Sequence, residues 1–186
     1  MVGTRTGYAG GVAAHPGYHE LADHRETVEV SFDPRVTSYA KLLEAFWTSG
    51  PTNIPPGPSR TRLAIFPQGK KQQQLAEQSL AKIRLEQGDT FVDLLPGATF
   101  WPAEKMHQKF DLQRRHPKLT AELAKRYPGV DQFLASPAAA RLNSCLGPFA
   151  TDRAFGEAAA ELGIEPAALK ERLMLEEVVP KPKETP

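Results

Sequence analysis

The chain has 186 residues, 40% of them apolar, which suffices for one ordinary hydrophobic core with an appendage but is cramped for two full domains. Lysine and arginine number 23 against 22 aspartate and glutamate, so the net charge of +1 creates no overall field that would favour nucleic acid or an anionic membrane. The single cysteine, Cys145, excludes an intrachain disulfide, and the lack of an export signal or of a roughly 20-residue apolar run predicts a cytoplasmic protein without membrane spans.

The first informative stretch is residues 7–26, which reads GYAGGVAAHPGYHELADHRE. Its glycines permit tight turns with positive φ, and the proline after His15 favours extended geometry at that histidine, so we expect an ordered loop. Ordered loops often hold functional side chains. The phenol of Tyr18 and the carboxyl of Glu26 are the candidate hydrogen-bond donor and acid, and a plain polar surface loop is the alternative.

A strand and a helix are predicted directly after this loop. Residues 28–32 alternate apolar and polar side chains, which is typical of a half-buried strand. Thr37 or Ser38 can then cap a helix whose apolar residues recur at helical spacing up to Phe46. The proline-rich residues 49–58 are predicted to form a loop.

Strands and helices continue to alternate in the middle of the chain. Residues 62–66 read as a strand, and residues 70–86 read as a long helix that Gly88 ends. Residues 91–95 form the next predicted strand, and Pro102 suits the first turn of a helix, so residues 102–115 are predicted to be helical. This alternation predicts one sheet covered by helices, in the α/β class.

The last third of the chain is predicted to be a small helical appendage. Its helical segments are separated by prolines and comprise residues 119–127, 138–146, 153–162 and 166–178. We expect the appendage to span residues 118–179, followed by a polar tail at 180–186 that has no reason to fold.

Neither the histidines nor the cysteine predicts a metal or cofactor site. His15, His19 and His24 lie in a glycine-rich loop, but their spacing is loose and no cysteine lies among them, so no metal and no cofactor are expected. Cys145 is expected to be a small buried hydrophobe without a catalytic role, because free cysteine is among the most buried residue types, and a stand-in or resolving thiol is the alternative. Trp101 is expected to belong to the core or to a pocket wall.

Five segments of the chain together resemble the A-type peptide methionine sulfoxide reductases. The segments are GYAGG at 7–11, HPGYHEL at 15–21, DHRETVEVSFDP at 23–34, SYAKLLEAFW at 38–47 and FWPAEKMHQKF at 100–110. Their order and spacing match the family over roughly residues 3–116, and FWPAEKMHQKF is the most specific of them. A looser similarity continues through AARLNSCLG in the helical appendage.

The resemblance implies a two-layer fold of the ferredoxin-like type over residues 1–117 and reduction of the S-epimer of methionine sulfoxide, free or in proteins. In that chemistry a cysteine thiolate attacks the sulfoxide sulfur. By motif, Glu26 resembles the acid that protonates the departing oxygen, a role that calls for partial burial, and Tyr18 resembles a phenol that binds this oxygen. Trp101 is expected beside them in the substrate pocket. Thioredoxin is the implied electron donor, and we expect a monomer.

Two departures from the family pattern predict an inactive or nearly inactive chain. The family's nucleophile lies in a Gly-Cys-Phe-Trp motif on a strand ahead of GYAGG, and the sequence as given starts at Met1, after that point. Arg60-Thr61 stands where the family has a second phenol. Loss of a nucleophile costs orders of magnitude in rate, and loss of a hydrogen-bond donor at the reacting oxygen costs roughly 3 kcal/mol.

We therefore expect a reductase whose first strand and nucleophile are missing from the sequence, with part of its sheet edge exposed. A non-catalytic module that binds methionine-containing peptides is the first alternative. A degenerate product without a stable fold is the second.

Overall fold

The computed structural model describes residues 3–55, 57–58, 61–147 and 150–175. These residues group into two compact units. Unit 1 runs from Thr6 to Glu104, and unit 2 contains residues 3–5 together with the described residues from Lys105 onward. The domain limits predicted at residues 117 and 179 stay predictions.

Unit 1 contains short strands and two helices. In chain order they are β1 (Gly3–Ala9), β2 (Arg25–Ser31), α1 (Tyr39–Thr48), β3 (Ala64–Ile65), α2 (Gly69–Gln87), β4 (Asp93–Leu94) and β5 (Phe100–Pro102). The first residues of β1 are among those assigned to unit 2. The mixed α/β class predicted from the sequence is confirmed.

The strands form two sheets instead of the single sheet that the sequence predicts. One sheet has the order β2-β1-β5, and β5 runs antiparallel to β1 with Tyr8 opposite Trp101. The other is the parallel pair β3-β4. The prediction of one sheet fails because only two residues of each predicted middle strand pair through backbone hydrogen bonds. Beside β2, a side-chain contact stands where backbone pairing was expected. The Arg25 guanidinium donates to the Asp93 carboxylate at 2.6 Å.

The two helices of unit 1 begin and end where the sequence indicates. Ser38 caps α1, because its hydroxyl accepts a hydrogen bond from the Lys41 amide. The buried side chain of Leu43 then packs with Ile65, Ala76 and Val92 in a small core. The second helix, α2, ends at Gly88, whose φ of 85° is the left-handed geometry that glycine allows.

The strands β1 and β5 were not predicted. Residues 7–9, expected in a loop, belong to β1, where the Tyr8 and Ala9 side chains are almost completely buried. Pro102 ends β5 instead of starting a helix, and the pairing continues beyond it because the Ala103 amide donates to the Thr6 carbonyl at 2.9 Å. A proline can occupy a strand end because its missing N–H leaves the neighbouring ladder bonds intact.

The helix predicted over residues 102–115 is wrong beyond Pro102 as well. A single 3₁₀ turn covers Lys105–His107, and the next α-helix begins only at Phe110. The two are separated by Lys109, which has a φ of 48° and interrupts helical geometry. The buried ammonium of Lys109 donates to the Thr4 carbonyl at 2.7 Å, a tertiary contact that compensates for the unfavourable backbone geometry.

From Lys105 onward the described residues of unit 2 are mainly helical, and helices occur in all four segments predicted to be helical. The helix at Val130–Ala135 was not predicted. The helices of unit 2 are α3 (Phe110–Arg115), α4 (Pro117–Ala124), α5 (Val130–Ala135), α6 (Pro137–Cys145), α7 (Asp152–Leu162) and α8 (Pro166–Met174). Three of the prolines that the sequence presents as breaks lie at the first helical positions of α4, α6 and α8. The core includes the fully buried Leu112, Leu123, Phe133, Leu142 and Leu169.

Some predictions fall on residues that the structure does not describe. The polar tail at 180–186 and Arg60 both lie outside the described residues. Of the proline-rich residues 49–58, those that are described contain neither helix nor strand, which confirms the predicted loop. Within the described part of the chain, none of the helices has the length and apolar content needed to cross a bilayer.

Candidate functional site

The segment between β1 and β2, residues 10–24, is called the Tyr18 loop here. It leaves β1 through Gly10, whose φ of 85° only glycine adopts without strain. Asp23 closes the base of the loop, because its carboxylate accepts a hydrogen bond from the Val12 amide at 2.9 Å. This backbone hydrogen bond is the main reason why the pKa of the Asp23 carboxyl lies below its usual value.

His24 fixes the first half of the Tyr18 loop from inside. Its ring is fully buried; the Gly11 amide donates to Nδ1 at 3.3 Å, and Nε2 lies 2.8 Å from the Ala13 carbonyl. Because Nδ1 accepts, the proton belongs on Nε2, which donates to Ala13. A Cβ on residue 11 would lie 2.5 Å from the ring, so the close approach requires glycine at Gly11.

The second half of the loop presents Tyr18 to solvent. Its side chain is 37% exposed, and its backbone amide donates to Oε1 of Glu104 at 3.1 Å. Trp101 on β5 packs against the cluster of Tyr8, Leu21 and Ala103, and the centroid of its ring lies 4.9 Å from that of His15, edge to face. The structure therefore places two of the three predicted site residues, Tyr18 and Trp101, at the same loop.

Glu26, the predicted acid, lies on β2 and is exposed. The expectation of partial burial is wrong, because β2 is the edge strand in the order β2-β1-β5 and no described strand covers its outer side. Glu26 lines a groove of about 550 Å³ in unit 1. We call this cavity the β2 groove.

Apolar side chains dominate the walls of the β2 groove. They include Val28, Val30, Phe32, Leu42, Leu43, Phe46, Ile65, Phe66 and Phe100. Among the described residues the groove walls include Glu26 but neither Tyr18 nor Trp101. A single site formed by Tyr18, Glu26 and Trp101 therefore stays a prediction.

Three polar groups near these features were missed by sequence reasoning. Arg25, 9% exposed, lines the groove and binds Asp93. The hydroxyl of Tyr39 is buried without a hydrogen-bond partner among the described residues, and burial raises the pKa of this phenol. The sequence indicates Tyr39 only as part of the apolar face of α1 and Glu104 only as part of the FWPAEKMHQKF motif. No local pattern reveals burial or contacts that depend on residues distant in the sequence.

Cys145 is half-buried at the end of α6 in unit 2. Burial raises the pKa of its thiol, and a hydrogen bond with Ser144 opposes that effect only in part. A raised pKa leaves less of the nucleophilic thiolate at neutral pH. The prediction that Cys145 is not catalytic stays a prediction, with this electrostatic argument in its favour.

No group of three or more His, Cys, Asp or Glu side chains in the described part of the chain is placed to hold a metal ion. Both ring nitrogens of His24 are engaged with backbone atoms. His24 is therefore held by backbone contacts, and the His15 ring lies edge to face with that of Trp101. The absence of a metal site stays a prediction.

Comparison with known proteins gives a consistent result. Residues 1–141 match the sequence model of a family described as peptide methionine sulfoxide reductase. The chain is 36% identical over 151 residues to peptide methionine sulfoxide reductase A5 of Oryza sativa subsp. japonica, which covers 77% of the chain and 58% of the rice protein. It is 38% identical over 128 residues to peptide methionine sulfoxide reductase MsrA of Bacillus licheniformis, covering 61% of the chain and 68% of the bacterial protein.

A third relative, peptide methionine sulfoxide reductase A5 of Arabidopsis thaliana, is 36% identical over 126 residues, which is 64% of the chain and 49% of the plant protein. The chain thus spans about half the length of the two plant relatives. The matched region includes the Tyr18 loop, β2 with Glu26, and β5 with Trp101. By sequence, the chain belongs to the peptide methionine sulfoxide reductase family.

Proposed function

We propose that unit 1 provides the sulfoxide-binding side of a peptide-methionine (S)-S-oxide reductase, an enzyme that repairs oxidised methionine. The family match over residues 1–141 carries this proposal. The ordered Tyr18 loop supports it, because hydrogen bonds in both halves fix the backbone that carries a partly exposed phenol. A phenol on a fixed backbone can donate to a sulfoxide oxygen without the entropic cost of ordering a mobile loop.

In the proposed reaction a cysteine thiolate forms a bond to the sulfoxide sulfur, Glu26 delivers a proton to the oxygen, and the S–O bond breaks. The oxygen leaves as water. One thioredoxin thiol then attacks the cysteine sulfur and releases methionine, and the second thioredoxin thiol frees the cysteine, so that methionine sulfoxide and dithiol give methionine, disulfide and water. Tyr18 would hold the oxygen while the S–O bond breaks. Because Glu26 is exposed, we propose that bound substrate covers it and keeps its proton from bulk water.

The 186 residues contain Cys145 as their only thiol, and burial raises its pKa. We therefore propose that this polypeptide by itself binds sulfoxide but reduces it slowly or not at all. The ferredoxin-like arrangement, the monomeric state and the cytoplasmic location are further parts of the proposal. The Arg25–Asp93 ion pair, which joins β2 to β4, supports the first of them.

Binding of the two epimers of N-acetylmethionine sulfoxide, measured by NMR titration, tests the proposal. We expect the S-epimer to bind at least about tenfold more tightly than the R-epimer, since a site built around one oxygen position leaves its donor unpaired with the wrong epimer. Tyr18→Phe should remove about tenfold of the S-epimer affinity. Tyr127→Phe, which removes a phenol hydroxyl from unit 2, is the matched control and should leave binding unchanged.

Equal binding of the two epimers would contradict the proposal. Turnover is measured in parallel with thioredoxin and its reductase as the electron source. We expect no reduction above background for the native chain or for Cys145→Ser. Stereospecific reduction that Cys145→Ser abolishes would make Cys145 the nucleophile and overturn the argument from its pKa.

A non-catalytic peptide-binding module is the second candidate function, and the β2 groove favours it. The groove combines apolar walls with an edge strand, the combination to which an extended peptide adds as a further strand. Val28 on β2 is 59% exposed, and Val28→Lys should abolish the binding of an extended peptide to this edge. Peptides with methionine, methionine sulfoxide or norleucine at one position separate the two functions, because only the reductase proposal requires preference for the sulfoxide.

A further inference from the structure

Glu104 connects the Tyr18 loop to the buried sheet. The residue follows β5, and each oxygen of its carboxylate accepts a hydrogen bond from a different element. The Tyr8 hydroxyl of β1 donates to Oε2 at 2.7 Å, and the Tyr18 amide donates to Oε1 at 3.1 Å.

Tyr8 provides a rigid base for this contact. It is 2% exposed, lies opposite Trp101 in the β1–β5 ladder, and packs with Leu21 and Ala103. Because the strand and the surrounding core fix its ring, the hydroxyl can hold the carboxylate in one orientation. Hydrogen bonds to a carboxylate are stronger than those between neutral groups.

The loop fits closely onto the carboxylate. Gly17 and Glu20 exchange backbone hydrogen bonds of 3.3 and 3.1 Å, which makes residues 17–20 a tight turn with Tyr18 inside it. A Cβ on residue 17 would lie 3.3 Å from Oε1 of Glu104, which is a tight contact, so the turn lies directly against the carboxylate. The position of the Tyr18 backbone therefore depends on Glu104. The positions that the Tyr18 phenol can reach depend on it in turn.

We propose that Glu104, oriented by Tyr8, is a positioning residue that places the Tyr18 phenol where it can donate a hydrogen bond to a sulfoxide oxygen. This inference rests on the proposed function, and it adds a role to residues that the reaction chemistry does not require. Glu104 itself does not touch the substrate. It acts only through Tyr18.

A double-mutant cycle in the full 186-residue chain tests the inference, with affinity for the S-epimer of N-acetylmethionine sulfoxide as the readout. Glu104→Ala should weaken binding about tenfold, and Glu104→Gln, which keeps one acceptor oxygen, should restore part of that loss. In a Tyr18→Phe background, Glu104→Ala should have almost no further effect on affinity, because the hydrogen bond from the Tyr18 phenol to the sulfoxide oxygen is already absent. Glu20→Ala removes an exposed carboxylate from the same loop and should leave affinity unchanged.

A second readout does not depend on substrate. The amide proton of Tyr18 should shift in NMR spectra when acid protonates Glu104, and this shift should be absent in Glu104→Ala but present in Glu20→Ala. Tyr8→Phe keeps the buried ring and removes only the hydroxyl, so it can replace Glu104→Ala if that variant fails to fold. Tyr8→Phe should reduce both the shift of the Tyr18 amide and the affinity for the S-epimer.

Additive effects of Glu104→Ala and Tyr18→Phe on affinity, or an unchanged Tyr18 amide response in Glu104→Ala, would overturn the inference. If the native chain binds neither epimer, the proposed function fails, and the amide response still decides whether Glu104 holds Tyr18.

Discussion

Single residues in the Tyr18 loop show how a polar segment remains ordered without a large core of its own. The buried His24 and the exposed Asp23 are both hydrogen-bonded to backbone atoms, and together they close the first half of the loop. Satisfied buried groups stabilise only modestly, but leaving one unsatisfied is expensive. The order of the loop therefore depends on a few individual contacts.

His24→Ala is expected to destabilise the protein by about 3 kcal/mol, because it leaves the Gly11 amide and the Ala13 carbonyl without their partner and opens a cavity. Urea unfolding followed by tryptophan fluorescence measures the loss, and amide exchange at Gly11 should become faster. His19→Ala changes an exposed histidine of the same loop and should cost under about 0.5 kcal/mol. Similar losses for the two variants would contradict the structural role of His24.

Sequence motifs identified candidate residues but not their surroundings. Tyr18 and Glu26 were selected by motif, yet the exposure of Glu26 follows from the edge position of β2, which no local pattern encodes. Glu104 was missed as a contact because Tyr8 lies 96 positions and Tyr18 86 positions earlier in the chain. Hydrogen bonds across such separations exist only after the strands have paired.

Among the secondary-structure elements, helices were predicted better than strands. Caps and apolar spacing are local, so α1 and α2 agree with their predicted limits within two residues. The strands β1 and β5 lack strict alternation and gain their stability from each other, with Tyr8 facing Trp101. Strand preference depends strongly on such tertiary partners.

The cap of α1 gives a test at this scale, because the sequence offers both Thr37 and Ser38. The structure selects Ser38, whose hydroxyl accepts the Lys41 amide. Ser38→Ala should lower the free energy of unfolding by about 1 kcal/mol, whereas Thr37→Ala should change it by less than about 0.5 kcal/mol. Chemical denaturation of the two variants side by side measures the difference. A larger loss for Thr37→Ala would contradict the assignment of Ser38 as the cap of α1.

For the molecule as a whole, unit 2 has the larger continuous apolar core among the described residues, although it contains none of the predicted site residues. Its core is built from α3 to α8, and Arg141 of α6 pairs with Glu157 and Glu161 of α7 on the surface. The family match ends at residue 141, within α6. The first part of this helical unit is therefore shared with the family.

Leu142→Ala should destabilise unit 2 by about 3 kcal/mol, because the leucine is completely buried and its removal leaves a cavity among the helices. The helical circular dichroism signal measures this as a lower midpoint of thermal unfolding. Met174→Ala, at a side chain that is 72% exposed on α8, is the control and should shift the midpoint little. Equal shifts would indicate that the helices of unit 2 do not share a packed core.

The sequence by itself determined the family, the mixed α/β class, the limits of α1 and α2 and the identity of Tyr18 and Glu26 as candidates, because motifs, caps and apolar periodicity are properties of neighbouring residues. The tertiary structure alone decided that the strands form two sheets, that β2 lies at an edge with Glu26 in a groove, and that Glu104 joins Tyr8 to the Tyr18 loop. These features depend on which distant segments pair. Pairing is determined by the free energy of the whole folded chain, to which every strand and side chain contributes at once.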